Sequence, residues 1–76
     1  MNTFDRVKGI IIDKLGCEED DVTLEANLFD DLGADSIDII EIAIVIEEEF
    51  ALEILTEEAE RLRTINNVIK YVDSHL

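Results

Sequence analysis

From Leu15 to Glu60 the chain carries no lysine or arginine, yet it holds every acidic residue except Asp5, Asp13 and Asp73. A block of one charge sign is ordinarily a disordered tail or a solvated face. This one is laced with isoleucine and leucine, and 47% of the whole chain is hydrophobic. That is too apolar for a disordered acidic segment. The block must therefore fold so that its apolar residues meet in a core and its carboxylates stay in water. With 76 residues and a net charge of -14, the expected product is one small domain over residues 1–76 with a thin core, since a chain near this length buries only about 60% of its unfolded surface. Nucleic acid is excluded as a partner, because phosphate contacts need cations that are missing here. An anionic membrane surface would repel the chain. Basic protein surfaces are the expected partners, steered in by charge and weakened by salt.

The apolar spacing sets the fold class. Phe4, Val7, Ile11 and Leu15 recur at helical intervals, with Asn2 or Thr3 to cap and Gly16 to stop a first helix from Thr3 to Leu15. Residues 17–34 have no sustained period and form a long ordered connection anchored by Val22, Leu24, Leu28, Phe29 and Leu32. A second helix is expected from Asp35–Ser36 to about Phe50, with Asp35 as N-cap and Asp38 adding favourable charge in the first turn. A strand over Ile37 to Ile46 suits the β-branched residues, but the length, the helical spacing of the acids and the lack of a second strand argue against it. A short third segment, capped by Thr56, reaches Leu62. A fourth helix begins at Thr64 with Ile65, Val68, Ile69 and Val72 as its stripe. The expected architecture is an all-α four-helix bundle, three helices longer and the third short, with a long loop between the first two.

At about 100° per residue, Ile39, Ile42, Ala43, Ile46 and Phe50 of the second helix face the core. Ile37, Glu41, Ile44 and Glu48 point away from it, with Ile40 and Glu47 on the flanks. Scattered exposed isoleucines are ordinary. Alternating with carboxylates beside Ser36, they suit a docking face whose apolar knobs insert and whose acids meet basic groups on a partner.

The inventory leaves little room for catalysis. His75 is the only histidine, so neither a Ser–His–Asp nor a Cys–His arrangement can be built. One cysteine and one histidine make no zinc site. A calcium loop counted from Asp30 places Leu32 and Ala34 where oxygen ligands belong, so no metal site is expected. Cys17 is followed by four acids that disfavour a thiolate, and it reads as a spacer at a helix end. A lone cysteine fits a reducing cytosol. No basic-then-apolar leader is visible, and no apolar run reaches the ~20 residues of a membrane span. A cytoplasmic monomer is expected. What remains is Ser36, outward in the first turn of a helix, where a phosphate ester would meet free N–H groups and the positive end of the dipole. The alternative is a serine that merely helps to cap the helix.

The run Asp31-Leu32-Gly33-Ala34-Asp35-Ser36-Ile37-Asp38 closely resembles the Asp-Ser-Leu signature of acyl carrier proteins. Glu47-Glu48-Glu49-Phe50, Glu57-Glu58-Ala59-Glu60, the length and the acidity are similar to that family as well. The resemblance implies a carrier with no catalysis of its own. Ser36 would be the attachment site of 4′-phosphopantetheine, transferred from coenzyme A by a holo-carrier synthase. Fatty acyl chains would ride as thioesters between enzymes of type II fatty acid synthesis. It further implies partner recognition by Asp35, Ile37, Asp38, Glu41, Ile44, Glu47 and Glu48. An acyl pocket would be lined by Ile39, Ile42, Ala43, Ile46, Ala59, Leu62 and Val68, with the bulky Ile39 and Val68 narrowing it toward shorter chains. Ile37 stands where leucine is usual, Ile39 where a small polar residue is common, and Leu55 where proline is common. Two alternatives stand beside this reading: another cargo, such as a polyketide or D-alanine, or an unmodified acidic adaptor.

Overall fold

A computed structural model describes residues 2–76. Its long elements are helices: α1 (Thr3–Leu15), α2 (Ser36–Phe50), the single-turn α3 (Thr56–Ala59) and α4 (Ile65–His75), with a 3-10 turn at Glu19–Asp21. This is the expected four-helix arrangement with a short third helix.

Local chemistry sets the boundaries. The Asn2 side chain accepts from the Asp5 N–H at 2.8 Å and starts α1. Gly16, at φ 67°, closes it by donating to the Ile12 carbonyl, a left-handed cap that glycine adopts without a Cβ penalty. At α4, Thr64 accepts from the Asn67 N–H while the Asn67 side chain accepts from the Thr64 N–H, both at 3.1 Å. The expected capping of the third segment by Thr56 is corrected: Leu55 occupies the N-cap position and Thr56 already lies in the first turn. The Leu55 N–H there donates to Glu58 Oε1 at 3.3 Å. Helix α3 itself ends at Ala59, and Leu62 follows as a separate buried anchor.

α1 packs against both α2 and α4, and α3 packs against α2. Val7, Ile11, Ile46, Ile65, Val68 and Val72 form the innermost layer, with Val22 and Leu28 of the connection inserted among them. No charged or polar residue is buried among those described. Carboxylates therefore all keep contact with water, which avoids the penalty of an unpaired buried charge.

The connection is ordered by specific bonds. Asn27 Oδ1 accepts from the N–H groups of Phe29 and Asp30, and Asp31 Oδ2 accepts from the Asn27 N–H at 2.7 Å. The same segment is laced to the start of α4. Leu28 N–H donates to the Arg63 carbonyl at 2.7 Å, Ile65 N–H to Ala26 and Asn66 N–H to Leu24. An isolated antiparallel bridge pairs Asn27 with Thr64. Leu24, expected as an anchor, is 43% exposed; its carbonyl rather than its side chain holds the loop. Ala26 and Ala34 are buried in its stead.

Candidate functional site

Ser36 opens α2 through a reciprocal cap. Asp35 Oδ1 accepts from the Asp38 N–H at 2.9 Å, and Asp38 Oδ2 accepts from the Asp35 N–H at 3.1 Å. The approach to this cap needs Gly33 at φ 74°, a conformation that costs a residue with a Cβ about 1–2 kcal/mol. Buried Ala34 then pins the strand of chain, its N–H donating to the Leu28 carbonyl at 2.8 Å. The Ser36 side chain is left in solvent. None of the hydrogen bonds among the described residues uses the N–H groups of Ser36 or Ile37. Both sit in the first turn, where helical N–H groups have no partner within the helix.

Beside Ser36 lies a groove of about 370 Å³ lined by Phe29, Ser36, Ile39, Ile40, Glu60 and Arg63. A second cavity of about 150 Å³ lies along α2 and α3, lined by Ile40, Ala43, Ile44, Glu47, Ile54, Thr56 and Ala59. Ile40 is the residue shared by the two. A larger depression of about 490 Å³ lies between α1 and α2. Arg6 there binds Glu49 at 2.7 Å, and neither Ser36 nor any free nucleophile reaches it.

The seven residues expected to line an acyl pocket are all buried, and they divide into three groups. Ile39 walls the groove that holds Ser36. Ala43 and Ala59 line the second cavity. Ile42, Ile46, Leu62 and Val68 line neither and pack within the core. On the outer face of α2, Ile37 is 66% and Ile44 48% exposed. Asp35, Glu41 and Glu48 are exposed, whereas Asp38 and Glu47 are half-buried. Several of these acids have work within the chain. Glu41 Oε2 meets Lys14 Nζ at 2.9 Å, Glu47 Oε2 accepts from the Ile54 N–H at 2.8 Å, and Asp35 and Asp38 cap the helix. Glu48 has no hydrogen-bond or ion-pair partner among the described residues.

The wall formed by α3 is fastened to α4. Tyr71 Oη donates to Glu58 Oε1 at 2.8 Å and lies 3.1 Å from the Glu53 carbonyl oxygen. The Tyr71 and Leu55 donors hold the Glu58 carboxyl below its usual range. Burial, with Glu58 as acceptor, pushes the Tyr71 phenol up to about 12.

Phe29, Glu60 and Arg63 are groove residues that sequence periodicity does not reveal. The Arg63 guanidinium carbon lies 5.2 Å from the centre of the Phe29 ring. Their meeting depends on the pairing of residues 26–28 with 63–65. The one local signal is that the cation-free block stops just before Arg61 and Arg63.

The arrangement fits a phosphodiester-linked arm. An exposed hydroxyl stands at a helix start with free donors, beside a groove whose apolar walls are Phe29, Ile39 and Ile40. No histidine lines it, and its one carboxylate is the exposed Glu60. A family model described as "Phosphopantetheine attachment site" matches residues 5–72. Among solved structures the chain is similar to an acyl carrier protein from Enterococcus faecalis noted for its high thermal stability. The two are 36% identical, over 97% of this chain and 94% of that one, with a TM-score of 0.83.

Proposed function

The chain belongs to the acyl carrier protein family, whose members are carriers rather than enzymes and whose cofactor is 4′-phosphopantetheine, and on that premise we propose that Ser36 is the attachment residue and fatty acyl chains the cargo. The supporting observation is Ser36 itself, solvent-facing in the first turn of α2 and on the rim of the α2–α3 groove. When bound, the group supplies a terminal thiol that holds acyl groups as thioesters. The chain's own part is to present that arm, shelter what it carries and dock with other proteins. Phe29, Ile39 and Ile40 give the groove an apolar wall, so an acyl chain entering there leaves water at about 0.8 kcal/mol per CH₂. Ile39 stands between the groove and the core, and its bulk favours shorter chains. The outer face of α2 offers Ile37 and Ile44 as knobs and Glu48 as an unpaired carboxylate for a basic partner, such as the synthase that loads the arm or an enzyme of fatty acid synthesis.

Incubation of the native chain with coenzyme A and a phosphopantetheinyl transferase, followed by intact mass, tests the assignment. One phosphopantetheine is expected on the native chain and none on Ser36→Ala. A native chain that gains no mass, or a gain that survives Ser36→Ala, would refute it.

A further inference from the structure

The cap that starts α2 creates an electrostatic problem for an anion on Ser36. A helix N-terminus offers roughly half a positive charge. Here the Asp35 carboxylate accepts from the first-turn N–H of Asp38 at 2.9 Å, and the Asp38 carboxylate from the N–H of the N-cap Asp35 at 3.1 Å. They consume donors and bring two full negative charges to the same turn. Glu60 adds a third carboxylate to the lining of the groove. A phosphodiester, which stays anionic at neutral pH, is repelled by all three unless a cation offsets them.

One cationic side chain lines that groove, and it is Arg63. Its side chain enters no ion pair among the described residues, unlike Arg6, Lys8 and Lys14. Its backbone is fixed where the connection meets α4, because the Arg63 carbonyl accepts from Leu28 at 2.7 Å. Its guanidinium lies over the Phe29 ring, a seat that leaves the N–H edges free while the face is covered. Guanidinium edges match phosphate oxygens in geometry and charge. The geometry points to Arg63 as the positioning residue that holds the phosphodiester of the Ser36-linked arm at the mouth of the α2–α3 groove. This rests on the attachment reading above. The consequence is that the first bond of the arm is steered toward the apolar wall rather than left to swing in solvent.

The test follows the ¹⁵N-labelled native chain from its unmodified to its loaded form, with intact mass reporting loading. The Arg63 Nε–H resonance, identified by its loss in Arg63→Ala, is expected to shift on loading, while the Arg61 resonance stays in place. Raising the salt concentration should shrink that shift. The ³¹P resonance of the loaded chain should move in Arg63→Ala, hold in Arg61→Ala and be partly restored in Arg63→Lys. Arg63 holds the connection through its backbone carbonyl, so these replacements, which remove only the exposed side chain's contact with Phe29, should leave the fold intact. Complete loading with an unchanged Arg63 resonance would overturn the positioning role alone. No mass gain on the native chain would overturn the attachment reading and this proposal with it. The comparison of unmodified and loaded native chain needs no variant, so a substitution that slows loading does not blunt it.

Discussion

The hydroxyl of Tyr71 ties α4 to the α2–α3 turn at Glu53 and to α3 at Glu58. Its bond to Glu58 affects both partners. Glu58 titrates below its usual value of 4.5 in the folded chain, so the bond's contribution is complete above that value and is lost as pH falls through the folded one. Tyr71 is raised from 10.0 to about 12. Its contribution is complete below pH 10 and disappears between there and about 12. Since the chain has one tyrosine and no tryptophan, tyrosinate absorbance reports this residue alone. The alkaline midpoint is expected near 12, held up first by burial and then by the Glu58 bond, so it should fall only part of the way toward 10 in Glu58→Gln; a native midpoint at 10 would show that neither the burial nor the bond persists in solution. At the acid end, the melting-temperature gap between the native chain and Tyr71→Phe should narrow as pH drops through the carboxylate range.

Helix α2 ends at an alanine in a glycine's conformation. Ala51 has φ 53° and ψ 50°, and its N–H donates to the Glu47 carbonyl. A left-handed residue with a Cβ costs about 1–2 kcal/mol, whereas glycine in its place costs about 0.5–1 kcal/mol in chain entropy. Ala51→Gly should therefore stabilise the fold by up to about 1 kcal/mol, raising Tm by a few degrees at ~4–8 °C per kcal/mol. Gly16→Ala is the mirror control. A Cβ at Gly16 meets nothing within 4 Å, so any fall in Tm comes from its φ of 67°. These two caps also show what was legible beforehand. The end of α1 was written as Gly16 and the start of α4 as Thr64, because both rely on local residue chemistry. The end of α2 was expected near Phe50 and lies there although no glycine marks it, with Phe50 and Ile54 buried on either side of the turn. At α3 the better capping side chain, Thr56, lies one residue inside the helix, and Leu55 holds the N-cap position. At the site, Ser36 and its Asp35–Asp38 cap were legible as a short motif. Phe29, Glu60 and Arg63 were not, since they converge through pairing of the long connection with the start of α4. The outer face of α2 makes a prediction of its own. Glu41 already answers to Lys14 and Glu47 to Ile54, so Glu48→Lys is the cleaner reversal. It should weaken binding of the loading synthase at low salt without lowering Tm, since it relieves acid repulsion, whereas equal affinity would refute docking through this face.

At the scale of the molecule, a net charge of -14 is carried on a body of 27 × 27 × 19 Å. Among the described residues three ion pairs form, and all start on α1: Arg6 with Glu49, Lys8 with Glu19, and Lys14 with Glu41. α1 thus acts as the counter-charge to the acidic block that begins where it ends. Two electrostatic effects oppose each other, and salt weakens both. Exposed ion pairs give only about 0.2–1 kcal/mol each. Repulsion among the acids acts over the screening length, about 30 Å at 0.01 M and about 8 Å at 0.15 M. At the lower salt every carboxylate on a body this size feels every other; at the higher one only neighbours do. Three short-range attractions set against a long-range excess of 14 negative charges should lose, so screening should stabilise the fold. Tm is expected to rise steadily with sodium chloride from 0.01 to about 0.5 M. Magnesium should raise it further at equal ionic strength, because divalent ions gather more strongly at an acidic surface. Lys8→Gln and Lys14→Gln should each lower Tm, and more so at low salt, because each removes positive charge from an unbalanced surface. A Tm that falls with salt would mean that the α1 pairs outweigh the repulsion and that the acidic block is held together chiefly by them.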